Sequence, residues 1–490
     1  MGVMRSWADR FRLRQNVKAS LWIVPSIGLV LGVLLAELAL AADSADWPPS
    51  GWHYSATTAS GVLTAIVGAM VALLGFVVTI GVLVVQQATS TLSPRYMRLW
   101  YRDRLQKAVL ATFTGTFAFA FSLLRSVESA SVPDLGVTLA GAAVAVSLVL
   151  LLIYLNRFTH SLRPVAIAEL VTRLGETVFA EGARAIRGAV PRGGGAVPSD
   201  GPVMRVRTVR GGAIQAFDVP GLVAEAARHD CVFVATRLVG DFVPPGTVLV
   251  EVHGGTSGPD PERVIGRIAL GAERTIEQDP AFALRILVDI AIRALSPAVN
   301  DPTTAVQVIN YIESFLHTVG STRLPGRYVL ADGDGAARLV LPGRDWDDYL
   351  ELAVCEIRDY GGSSVQICRR LRAMLEGLLE ALPPPQHPAV RTQLLLLEEA
   401  AEREFTDPDR LAIAVQADHP LRVGSGRAPV HLHQHGAGRY EVPDQPGRDE
   451  DPRPGSGDPG RGFRSAVPAA RCGSRRRASP GRGWSRRRRR

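Results

Sequence analysis

Lysine is nearly missing from this chain of 490 residues: Lys18 and Lys107 are the only two, so almost all of the 55 basic side chains are arginine. With no lysine after Lys107, that long remainder has no P-loop phosphate ligand, Schiff-base nucleophile, kinase-type ATP lysine or attachment point for a lipoyl or biotinyl group. Cysteine is scarce as well. Cys231, Cys355, Cys368 and Cys472 share no Cys-x-x-Cys spacing, which reads as free thiols in a reducing compartment rather than a disulfide framework or a zinc site. Also absent are His-Glu-x-x-His, a Gly-x-Ser-x-Gly nucleophile turn and a phosphate loop. These absences imply no cofactor and no metal, and favour non-enzymatic readings over catalysis.

What the chain does have is apolar sequence, unevenly placed. Hydrophobic residues make up 47% and concentrate before Arg157. The formal charge of +8 is also uneven, because the segment from Leu421 holds 17 Arg against 6 acids, leaving the preceding 420 residues at −3.

Four apolar blocks, about Ser20 to Ala42, Ala59 to Val85, Ala108 to Val127 and Leu135 to Leu155, each approach the ~20 residues a helix needs to cross a bilayer. The charges between them alternate in sign. Arg5, Arg10, Arg12, Arg14 and Lys18 precede the first, and Asp43 and Asp46 follow it. Arg95, Arg98, Arg102, Arg104 and Lys107 separate the second from the third, Glu128 and Asp134 the third from the fourth, and Arg157 and Arg163 come after. By the positive-inside rule all three basic segments agree on a multi-pass protein of the inner or plasma membrane with both termini cytoplasmic. A competing view takes the first block as a cleaved signal peptide ending near Ala39-Leu40-Ala41, although its apolar run is long for one.

Few polar residues interrupt the blocks. Glu37 and Arg125 sit near the expected outer ends, where snorkelling to the interface explains them. Thr112, Gly115, Thr116, Phe119 and Ser122 form a small and polar stripe on the third block, a pattern that packs helices more often than it lines a pore. Tyr96, Leu99 and Trp100 with Arg95, Arg98 and Arg102 suggest an amphipathic helix in the inner interface.

Beyond the membrane half, Ile167, Leu170, Val171, Leu174 and Val178 mark a helix that extends from the membrane as a stalk or packs on its neighbours, and the Gly-rich linker PRGGGAVPSDGP follows it. Residues 202–271 read as a small β-rich subdomain. Within it GDFVPPGTVLVEV resembles the turn of lipoyl-like barrels without their modified lysine, which implies a barrel and no swinging arm. Residues 272–420 read as a helical subdomain. Asp279-Pro280 and Asp301-Pro302 each set a capping carboxylate before a proline at the first helical position. For the connection SPAVNDPTT, two helix ends account for the residue types, with an anion site at the second helix as the alternative. The segment 421–490 reads as a disordered Arg-rich tail that lies against anionic lipid or stays solvated, with no folded reader for nucleic acid. Its His431, His433 and His435 alternate too loosely to predict a metal site.

The stretches FVVTIGVLVVQQATSTLSPRYMRLWYRDRLQKAVLATFTGTFAFAFSLLRSV and ERTIEQDPAFALRILVDIAIRALSPAVNDPTTAVQVI together resemble a bacterial membrane family known only as a domain of unknown function, number 2254. The resemblance implies a four-helix membrane part followed by a cytoplasmic α+β region, and brings no substrate or catalytic residue. It carries over only candidate coupling or ligand positions: Ser93, Pro94, Arg95, Arg102, Asp103, Ser296, Pro297, Asn300, Asp301, Pro302 and Thr303. Three classes remain: a homo-oligomeric, non-enzymatic membrane assembly whose cytoplasmic domain senses or binds a partner, an oligomeric channel or transporter gated by that domain, and, behind both, an anchored enzyme.

Overall fold

The computed structural model describes residues 6–43, 53–91, 95, 102–128, 132–161, 163–187, 201–255 and 258–418. Outside these lie Ser93 and Pro94, the apolar and aromatic Tyr96, Leu99 and Trp100, most of the Gly-rich linker, and the Arg-rich tail with its three histidines.

Helix α1 (Trp7–Ala19) begins at Ser6, whose hydroxyl accepts from the amide of Asp9. Four long helices follow: α2 (Ile23–Asp43), α3 (Ala56–Thr91), α4 (Arg104–Leu124) and α5 (Asp134–Ser161). All four are long and apolar enough to cross a membrane. Their outward faces carry Leu34, Leu38 and Leu152 more than half exposed, a surface suited to lipid rather than water. Half of α4's apolar window is buried against 28% for each of the others, so α4 is the central helix. The first pair packs backbone to backbone: a Cβ at Gly28 would stand 2.3 Å from the Ala111 carbonyl oxygen, and one at Gly32 2.2 Å from that of Gly115. Only glycine allows this approach. The expected small-residue stripe is therefore a packing surface in part, and its Thr116 hydroxyl meets Ser147 of α5 at 3.3 Å.

The charge alternation reappears as two ends of one bundle. At one end Asp43 accepts from the amides of Leu135 and Gly136, while Asp134 accepts from the Tyr54 amide at 2.8 Å and meets His53 at 2.9 Å. The arginine-bearing ends and the whole α+β region gather at the other.

That region starts with α6 (Pro164–Arg187), the expected stalk, which lies against its neighbours rather than standing free: Gly175 abuts Ala283 and Phe315 so closely that a Cβ would meet them at 2.7 and 2.8 Å. Strands β1 (Met204–Arg207), β2 (Gly212–Phe217), β3 (Cys231–Ala235), β4 (Phe242–Val243), β5 (Val248–Gly254) and β6 (Ile268–Gly271) follow, with α7 (Val219–Arg228) and α8 (Pro261–Ile265) between them. Next come α9 (Pro280–Ala294), α10 (Pro302–Gly320), the hairpin β7 (Arg327–Ala331) and β8 (Ala337–Pro342), and α11 (Trp346–Gly361), α12 (Val365–Ala381), α13 (His387–Glu404) and α14 (Pro408–Ala414). Both Asp-Pro starts stand where the sequence puts them, and α11 adds a capping box between Asp345 and Asp348.

Among the described residues the strands form two open sheets, β1-β5-β3-β8-β7 and β4-β2-β6, and no closed barrel. The reason is the parallel pairing of β3 with β8, Phe233 opposite Leu339, which places a late hairpin beside the early strands. The region 272–420, expected to be helical, thus contributes a hairpin to the sheet. The sheets share a core of Phe233, Leu249, Ile214 and Leu222, while α6 and α9 to α14 enclose a second core around Ile286, Phe315 and Met374. Cys231 and Cys368 are buried free thiols, and burial pushes each up to about 11.

Candidate functional site

The membrane helices and the α+β region meet through a few charged residues. Asp103 accepts from the amide of Leu105 at 2.9 Å and starts α4, which fixes Arg102 just outside the helix. From there the Arg102 guanidinium donates to Glu277 at 2.8 Å and to Gln15 of α1. Glu277 stands on a single 3₁₀ turn, Ile276–Gln278. Burial pushes its carboxyl up, but hydrogen bonds from Gln15 and Arg102 outweigh this and hold it below the usual carboxylate value.

The next two residues hold other parts. Gln278 clamps the backbone of Phe217, accepting from its amide at 2.9 Å and donating to its carbonyl at 3.1 Å, so the end of β2 is tied to the turn. Asp279, 3% exposed, accepts from the Phe282 amide to start α9 and takes Arg274 through Nε at 2.9 Å and Nη2 at 2.7 Å. Arg274 in turn lies 5.0 Å from the Phe282 ring centre. Gly240 closes over this pair at φ +94°, where a Cβ would stand 2.3 Å from Asp279 Oδ2. Burial raises the Asp279 carboxyl above its ordinary value, ahead of the opposing pull of Arg274. Three consecutive residues therefore grip the membrane loop, the smaller sheet and helix α9.

A second bridge lies along α9. Arg95 pairs with Asp289, which also accepts from Arg285 Nε at 2.9 Å, and Arg285 forks onto Glu356 of α11, with Nη2 to Oε2 at 2.8 Å. Asp289 is 9% exposed and is held between two arginines, so each offsets part of the cost of burying its charge. Helix α9 is thus pinned to the same basic loop at its N-terminal approach and again past its middle. On the opposite face of the joint α1 packs Trp7 and Phe11 over Ala216 and Ala269, with the Ala8 amide donating to Gly266 at 2.9 Å.

Of the positions expected from sequence, Arg95, Arg102 and Asp103 come together here. The other group does not. Ser296, Pro297, Asn300, Asp301, Pro302 and Thr303 form the connection from α9 to α10, with Pro297 and Asn300 exposed. Its geometry is that of two helix ends: Ser296 donates to the Arg293 carbonyl at 2.7 Å, and Asn300 turns through φ +47°. Asp301 accepts from the Thr304 amide at 3.0 Å and hydroxyl at 2.5 Å, and those bonds hold its carboxyl below the usual value. Among the described residues none of its hydrogen bonds or ion pairs reaches Arg95 or Arg102. Gln15, Glu277, Gln278, Asp289 and Glu356 were not picked out from sequence. A signal existed for Asp289, the one carboxylate inside the apolar run of α9.

Among the described residues no group of three His, Cys, Asp or Glu side chains is placed to hold a metal. Within the membrane half a groove of about 630 Å³ lies between α2, α4 and α5, lined by Gly32, Leu35, Thr112, Phe119, Leu135 and Leu139 among others.

Comparison with known proteins agrees with this architecture. The profile of a family described as "Predicted membrane protein (DUF2254)" matches residues 18–377. Uncharacterized proteins of Mycobacterium tuberculosis and Mycobacterium bovis are each 30% identical over 422 residues, covering 82% of this chain and 80% of theirs. No solved structure matches.

Proposed function

Because the chain belongs to the DUF2254 family of predicted membrane proteins, whose matched relatives are themselves uncharacterized, we propose a function from the joint: a non-enzymatic membrane transducer. In this reading the arginine-bearing end faces the cytoplasm, the chain crosses the cell (inner or plasma) membrane several times with both termini on the cytoplasmic side, and the α+β region binds a partner whose presence is passed to the helices. The observation that carries it is the double bridge from one loop to α9 and the turn before it, Arg102 to Glu277 and Arg95 to Asp289. A loop joining two membrane helices has no need of two separate carboxylates, one of them buried, for anchoring alone. Pinned to the approach of a rigid helix and again past its middle, it moves when that helix moves.

Hydrogen exchange on the full chain in liposomes tests the reading. Asp289→Asn should raise exchange in 280–294 and also at the start of α4, which Asp289 does not touch. If only the α9 region responds, the loop is an anchor and the transducer reading fails.

A second reading, an oligomeric channel or transporter gated by the α+β region, draws on α3. Gly61, Gly68 and Gly75 recur at seven-residue spacing with open space where each Cβ would stand, a surface that lets the helix of another copy approach closely. Ion flux in liposomes under voltage, tension and pH change separates the two; silence in all conditions removes the channel.

A further inference from the structure

The two lysines meet. Lys107 Nζ, in the first turn of α4, donates to the backbone carbonyl of Lys18 in the last turn of α1 at 2.6 Å. Lys107 is only 8% exposed, and among the described residues it has no carboxylate partner. An ammonium carries three donors, and one is used.

Its surroundings also leave polar atoms without partners. Arg102, close enough to repel it, keeps a buried Nε with no partner after its two terminal nitrogens serve Glu277 and Gln15. Gln106, 4% exposed, has a buried Oε1 with no partner. On the negative side stands Glu277 alone, because Asp103 caps α4 and lies 3.9 Å from Arg157. Three cations, Lys18, Arg102 and Lys107, against the one carboxylate of Glu277, which Arg102 already engages, make a place where charge is left over and donors are unspent. A buried unmatched cation is costly, and an anion bound beside it offsets that cost.

The level of the site says which anion. It lies where α1 passes into α2 and where α4 enters its apolar run, the depth at which a bilayer carries its phosphates. We propose that Lys107, with Arg102 and the exposed Lys18 side chain, binds the phosphate group of a phospholipid in the adjoining leaflet. The unused Gln106 oxygen selects headgroups that bear a hydrogen-bond donor, a glycerol hydroxyl or an ammonium, over choline. This deepens the transducer reading, since it gives the joint a ligand on the membrane side, and it rests on the same Arg102.

Native mass spectrometry of the full chain, extracted from nanodiscs of phosphatidylcholine with phosphatidylglycerol or phosphatidylethanolamine, reads the site. The parent should retain a glycerol or ethanolamine lipid, Lys107→Gln should retain it about tenfold more weakly, as expected for one lost charge-assisted hydrogen bond, and Lys107→Arg should restore it. Equal retention by Lys107→Gln, with the variant folded by circular dichroism, overturns the proposal, as does equal retention of phosphatidylcholine for the headgroup preference. Inorganic phosphate added to the delipidated chain distinguishes the sources: failure to displace lipid supports a lipid site, while tight, Lys107-dependent phosphate binding without lipid retention assigns a free phosphate instead. Asp289→Asn, which leaves this cluster untouched, keeps the two readings apart: intact lipid retention with no long-range change in exchange sinks the transducer and leaves the lipid site standing.

Discussion

Asp279-Pro280 and Asp301-Pro302 are the same dipeptide doing the same local job, 22 residues apart in one chain. Each carboxylate accepts from the amide three residues on, and each proline fills the first turn, where its missing N–H costs nothing. Around Asp279 the chain has closed Arg274, Gly240 and the turn that holds Arg102. Around Asp301 it has left solvent and one threonine. Burial lifts the first carboxyl above its ordinary value, and hydrogen bonding lowers the second. The contrast teaches that a helix cap becomes a structural keystone through what packs over it, not through its own sequence.

The sharpest way to break the comparison is to remove both carboxylates in turn. Asp279→Ala should cost about 3–5 kcal/mol in denaturant midpoint terms, because it strands the Arg274 guanidinium in a covered site as well as uncapping α9. Asp301→Ala should cost about 1 kcal/mol, the ordinary worth of a cap. If the two losses are equal, the packing around Asp279 contributes nothing.

A finer test is acid. Asp301 has a lowered folded pKa, so its contribution is present above the ordinary value of 3.8 and is lost as pH falls through the lowered one. Asp279 has a raised folded pKa, so ionisation weighs against the fold and the parent gains relative to Asp279→Asn as pH falls through that raised value. Unfolding curves of the parent and of Asp279→Asn and Asp301→Asn between pH 3 and 7 should therefore diverge in opposite directions.

Local signals carried much of this architecture. The four apolar runs, the alternation of charge between them and both Asp-Pro starts can be read from neighbours in sequence, because each depends on residues within a turn or two. The joint depends on separations no window spans: Arg95 and Asp289 are 194 residues apart, Arg102 and Glu277 175. Glu277 on its own looks like any surface acid before a helix, and nothing in Trp7–Ala19 announces that this basic segment would fold over β6. The barrel expectation fell short for the same reason, since local strand signals at 202–271 say nothing of β8, which supplies the missing neighbour of β3 from more than a hundred residues later.

The double bridge also has a consequence in time. Arg95 leaves the ribosome 194 residues ahead of Asp289, and at about 5–20 residues per second that is a wait of roughly 10–40 s. During it the first spans can be inserted while the arginines between them have no carboxylate to meet, free to face lipid phosphate. Synthesis thus visits the unbridged state before the bridged one in every copy made, and assembly of the joint is the last act of a protein whose membrane half is already in place.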